Sequence, residues 1–123
     1  MSIVRSYGKE EILINENKII IIETKEEDGY EWKEVTYKSN DEIKIGSYYT
    51  YNYTSSIEWM EYNDDYIVLL IIHKGGHVNS KTLIKKMFNI NLKQFVYGSQ
   101  EQLLEVYNKS FKGNAKKKIL TKK

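Results

Sequence analysis

An α+β fold is what this sequence predicts: an N-terminal antiparallel, meander-like β-sheet with two or three C-terminal helices packed on it. Three observations predict it. Up to about residue 73, apolar and polar side chains alternate at period two between polar corners; after Gly76 apolar residues recur at helical spacing; and formal charge changes sign near the same place.

The elements follow in order. Ile12 and Ile14 lead to the corner Asn15-Glu16-Asn17-Lys18, and the β-branched run 19–22 then suits a strand covered on both faces. Asp28-Gly29 is a tight-turn dipeptide, because both central residues of a type I′ turn need positive φ. In the strand 30–37 the apolar residues change parity between Trp32 and Val35, which points to a bulge or bend. Ser39-Asn40-Asp41 turns the chain. From Ile43 to Trp59 the odd positions are largely apolar or aromatic and the even ones polar. Period two therefore puts Tyr49, Tyr51 and Tyr53 on the packed face and leaves Tyr48 on the other. Asn63-Asp64-Asp65 makes a further turn, and 66–72 is the most hydrophobic strand, expected at the centre of the sheet.

Beyond Gly75-Gly76, Leu83, Ile84, Met87 and Phe88 are spaced as on a helix, with Lys81, Lys85 and Lys86 opposite. A further helix starts at Ser99, where Ser99 and Gln102 form a capping box. Leu103, Leu104, Tyr107 and Phe111 make its apolar stripe, and Gly113 stops it. The pattern over 91–97 fits either a short helix or an extended segment.

With 123 residues the chain reads as one domain over 1–113, an acidic β-rich part (1–73) followed by a basic helical part (78–113), with a mobile lysine-rich tail at 114–123. Absence of cysteine closes off disulfides and thiolate chemistry. No apolar run approaches the roughly 20 residues of a membrane helix, and no secretory signal pattern precedes the first strand, so a cytoplasmic protein with no membrane partner is expected. One Arg, one Ala and no Pro, beside abundant Lys, Ile, Tyr and Asn, read as the codon bias of an AT-rich genome, and a phage or mobile element is the expected source.

Charge points to partners. Residues 1–70 hold seven basic side chains against fifteen Asp and Glu, whereas 71–123 hold twelve Lys against Glu101 and Glu105, so the net +2 conceals balances of −8 and +10. Glu26, Glu27, Asp28, Glu31 and Glu34 cluster around one turn and would attract a basic surface. The expected function is that of a small non-enzymatic binding protein that inhibits or modulates a host nucleic-acid-handling, defence-type protein, with Tyr48 as an aromatic contact. The alternative is a nucleic-acid-binding module: Ile84, Phe88, Ile90 and Phe95 are apolar where a helix-turn-helix buries side chains, with 92–97 as the reading helix, and Lys81, Lys85, Lys86 and Lys93 would meet phosphates. A homo-oligomer is compatible with either.

Catalytic and metal motifs are weak. The stretch 75–82, GGHVNSKT, has the spacing of a phosphate-binding loop between strand and helix, but Ser80 stands in place of the second glycine. His73 and His77 are four apart, with Gly75-Gly76 between them breaking any helix that could align them on a metal. No catalytic residue, metal or cofactor is expected.

Overall fold

The computed structural model describes residues 3–51, 56–73, 81–113 and 115–121. It is mostly β, with nine strands and one helix among those residues, so the expected helical layer is replaced by sheet. The chain divides into two compact units, Met1–Tyr53 with Thr121–Lys123, and Thr54–Leu120.

The first unit is a four-stranded antiparallel meander of β1 (Arg5–Asn15), β2 (Lys18–Glu27), β3 (Tyr30–Lys38) and β4 (Glu42–Tyr49) in sequential order. Its corners are those the sequence marks. Asn15 pairs with Lys18, Glu27 pairs with Tyr30, and Asp28 and Gly29 take φ of 52° and 82°, the positive pair that a two-residue turn requires. Ile20, Ile22, Val35, Tyr37, Ile45 and Tyr48 are buried.

The expected break in β3 lies in β4. The β2–β3 register runs without a shift, whereas β3–β4 pairs Val35 with Gly46 and Thr36 with Lys44, leaving Ile45 as an extra residue. A bulge reverses which face each later residue occupies. Tyr48 is consequently buried, with 4% exposure, and Tyr49 is 64% exposed, the reverse of the period-two reading. Tyr51 is exposed as well, while Tyr53 lies outside the described residues.

The second unit is a five-stranded antiparallel sheet in the order β8 (Gln94–Phe95), β7 (Lys81–Asn89), β6 (Tyr66–His73), β5 (Ser56–Tyr62), β9 (Lys116–Ile119). Strand β6 is central, and Ile67, Val68, Leu69 and Leu70 are fully buried on both of its faces. Asn63 builds the β5–β6 turn, its Oδ1 accepting from the backbone N–H groups of Asp65 and Tyr66 at 2.8 Å each.

The segment that reads as the first basic helix is β7. Its register against β6 jumps between Leu69 and Leu70, which pair with Lys86 and Ile84, so Lys85 is a bulged residue. The bulge places buried Ile84 three positions before buried Met87, and Phe88 beside Met87 is buried on the other face. A bulged strand covered on both sides thus imitates the i, i+3, i+4 spacing of a helix. Residues 91–93 turn the chain, with Lys93 at φ 52°, and lead into the two-residue β8, so the region is neither a helix nor a helix-turn-helix.

Helix α1 (Gln100–Ser110) is as the sequence predicts. Ser99 caps it, accepting from Gln102 N, while Gln102 Oε1 accepts from Ser99 N, and Gly113 beyond its end takes φ 79°. Leu103 and Phe111 pack with Trp59, Val68, Leu70, Ile84 and Met87 on one face of the sheet.

The expected lysine-rich tail contributes a strand. β9 pairs with β5 from Trp59–Ile119 to Tyr62–Lys116, Leu120 is buried, and its N–H donates to Glu58 O at 2.9 Å. Backbone hydrogen bonding makes the element, and Lys117 lies with Nζ 4.5 Å from the Trp59 ring centroid. No helix among the described residues is long and apolar enough to cross a membrane.

Candidate functional site

The five carboxylates around Asp28 do not form one surface. In antiparallel pairing directly opposed residues share a face. Glu26 is paired with Glu31 on the face of Ile22 and Val35, whereas Glu27 and Glu34 lie on the opposite face and Asp28 sits in the turn. Glu26 and Glu34 are also engaged locally. Glu26 accepts from Gly29 N at 2.8 Å and from Arg5 Nη2 at 2.7 Å, and that amide, then Arg5, hold its carboxyl below the usual glutamate range. Glu34 accepts from Trp32 Nε1 at 3.0 Å and pairs with Lys25 at 3.1 Å and Lys44 at 3.6 Å. The indole bond and then Lys25 lower its carboxyl against the opposing effect of partial burial.

The β4 bulge assembles something else on the Glu27–Glu34 face. Trp32 stands directly opposite Tyr49 across β3–β4 and opposite Lys25 across β2–β3; one step toward the turn, Tyr30 faces Glu27. Tyr30 is 68% exposed, Tyr49 is exposed and Trp32 is half-buried. Two open aromatic rings therefore flank an indole whose N–H is already held by Glu34, with Glu27 and Asp28 at the same end of the sheet. The sequence signal is Tyr-x-Trp-x-Glu, residues two apart that share a strand face. It is visible once the bulge is located, and Tyr48 falls on the wrong side of it.

The same Trp-x-Glu geometry recurs in β5. Trp59 Nε1 donates to Glu61 Oε2 at 2.9 Å, and the Tyr107 hydroxyl donates to the same oxygen at 2.6 Å. Burial, and then Glu61 beside it, push the Tyr107 phenol pKa well upward. This cluster ties α1 to the sheet, and Trp59 is buried.

The candidate phosphate-binding lysines are scattered. Lys81, Lys85 and Lys86 lie on β7 and Lys93 in the turn after it. Lys85 is 3.6 Å from Glu58, and Lys86 Nζ lies 5.2 Å from the Phe95 ring centroid. Residues 75–80 of the phosphate-loop-like stretch, and with them His77, lie outside the described residues, as does the His73 side chain; the stretch leads into strand β7, where such a loop requires a helix. A cleft of about 330 Å³ beside α1 is lined by none of the candidate carboxylates or lysines and not by Tyr48, and its Glu105 and Lys109 pair with each other at 3.5 Å.

Redrawn at the boundary between the units, the charge asymmetry is milder. The first unit, 1–53 with 121–123, carries eleven acidic and nine basic side chains, and 54–120 carries six and ten, balances of −2 and +4. The acidic half of the sequence is thus not the acidic unit, because Glu58, Glu61, Asp64 and Asp65 belong to the second sheet.

No protein-family model, curated protein or solved structure matches this chain. The expected phage or mobile-element source and inhibitor role rest on composition and gain no support from the fold or from these comparisons, and the expected α+β class is replaced by a mostly β one.

Proposed function

We propose that this chain is a non-enzymatic binding protein that takes a basic partner protein on the Trp32 face of its four-stranded sheet. The observation that carries the reading is the register: Tyr49 opposite Trp32, Tyr30 two residues along, and Glu27 opposite Tyr30, all on one face. Exposed aromatic rings offer large contact area at small entropic cost, and their faces attract ammonium and guanidinium groups. Glu27 and Asp28 add the charge that steers such a partner. Lys25 and Lys44 on that face are drawn to Glu34 and oppose it less than their number suggests.

A titration calorimetry series with an arginine-rich peptide as probe tests this. Tyr30→Ala with Tyr49→Ala should weaken binding by at least about tenfold, a cost of about 1.4 kcal/mol that is ordinary for exposed aromatic contacts. Lys81→Glu with Lys86→Glu should leave it unweakened. Binding indifferent to the two tyrosines would overturn the proposal.

A further inference from the structure

The four sheet edges are not equally guarded. In the second sheet β8 has only two residues, β9 only four with three of them Lys, and the edge of β7 beyond β8 is occupied at Ile84 by the side chain of Gln100. Short strands and lysines are the usual defences against edge pairing. In the first sheet, the edge strand β4 is interrupted by the Ile45 bulge. β1 is different: it is the longest strand, it pairs only with β2 among the described residues, and its register is unbroken over 8–13.

On one face of that run the side chains are self-complementary. Lys9 and Glu11 share one face, both are exposed, and neither has an ion pair among the described residues. Tyr7 and Leu13, at 58% and 60% exposure, stand on either side of them. When β1 is laid antiparallel against a second β1 with Glu10 opposite its own copy, Lys9 of each chain faces Glu11 of the other and Tyr7 comes to the level of Leu13, so two attractive pairs on this face outweigh the single like-charged Glu10 pair on the other. A shift by two residues in either direction sets Lys9 against Lys9 or Glu11 against Glu11.

We infer that β1 is a docking edge for a second copy of this chain, paired antiparallel about Glu10 into a continuous eight-stranded sheet. The two-fold axis stands perpendicular to that sheet. It therefore leaves the Trp32–Tyr49 patches, carried by the strands farthest from the join, open on the same side of the dimer. The dimer does not depend on that patch being a binding site.

The register makes the test specific. Opposed Cα atoms in an antiparallel pair lie about 4.5–5.5 Å apart, within disulfide range, and the chain has no other cysteine. Glu10→Cys should form a disulfide-linked dimer on mild oxidation, and Ile12→Cys, which would face Gly8 of the second copy, should not. Sedimentation of unlinked protein supplies the second measurement. Lys9→Glu or Glu11→Lys alone should weaken the dimer about tenfold, since each replaces two attractive cross-strand pairs by two repulsive ones. The double swap should restore it. A wild-type chain that sediments as a monomer up to its solubility limit, single variants that dimerise as well as wild type, or a double swap that stays weak would each overturn the inference.

Discussion

Gln100 closes the edge of β7 by bonding both backbone groups of Ile84: its Nε2 donates to Ile84 O at 2.6 Å and its Oε1 accepts from Ile84 N at 3.0 Å. The carboxamide thus stands in for the peptide group of a missing strand beside the Lys85 bulge. Gln100→Ala should cost about 1–3 kcal/mol, because partly buried backbone groups lose their partners. Denaturant unfolding would measure the loss, and amide exchange at Ile84 should quicken with it. Unchanged stability and exchange would show that water serves as well as the side chain.

Tyr48 and Tyr49 separate stability from binding. Tyr48→Ala should destabilise by about 3 kcal/mol or more, as truncation of buried aromatics does. Tyr49→Ala should stay within about 0.5 kcal/mol of wild type, as exposed positions do. Thermal unfolding of the two variants checks the β4 bulge directly, since a strand without it gives the opposite ranking.

Tyr107→Phe should cost about 1–2 kcal/mol through the lost hydrogen bond to Glu61. The same substitution should remove a tyrosinate absorbance step lying above about pH 10, the ordinary phenol value, because burial and Glu61 raise the Tyr107 pKa. Alkaline difference spectroscopy reads both proteins.

Acid should act on the first sheet through Glu26 and Glu34. Their folded-state pKa values are lowered, so the stability they contribute is present in full above the ordinary value of about 4.3 and is lost as pH falls through the lowered values. Exposure to solvent keeps the effect small. Glu26→Gln with Glu34→Gln should be less stable than wild type at neutral pH and flatter with pH below about 4. Glu58 runs the other way: burial outweighs Lys85 and raises its carboxyl, so its ionisation costs stability above the raised value and the cost is relieved as pH falls through it. Urea unfolding across a pH series resolves the two signs.

Local chemistry was legible where one residue suffices. Asp28-Gly29, Asn15–Lys18, Asn63 and the Ser99–Gln102 capping box all act as their residue types dictate, and the buried character of 66–72 identified the central strand. Periodicity misled wherever a bulge intervened. At Ile45 it reversed Tyr48 and Tyr49 and so hid the aromatic patch. At Lys85 it turned a strand covered on both faces into an apparent amphipathic helix, and with that helix came the helix-turn-helix reading. The 116–119 strand was hidden for another reason: its partners are backbone groups of β5 and the ring of Trp59, neither of which appears in the tail's own pattern.

Amide and indole chemical-shift mapping during titration with an arginine-rich peptide shows where a basic partner docks. Shifts should concentrate at Glu27, Asp28, Tyr30, Tyr49 and the Trp32 indole N–H, with Lys81, Lys86 and Lys93 undisturbed. Shifts centred on β7 instead, no shifts at all, or perturbation of the Trp32 patch by a single-stranded oligonucleotide in preference to the peptide would contradict docking of a basic partner on the Trp32 face.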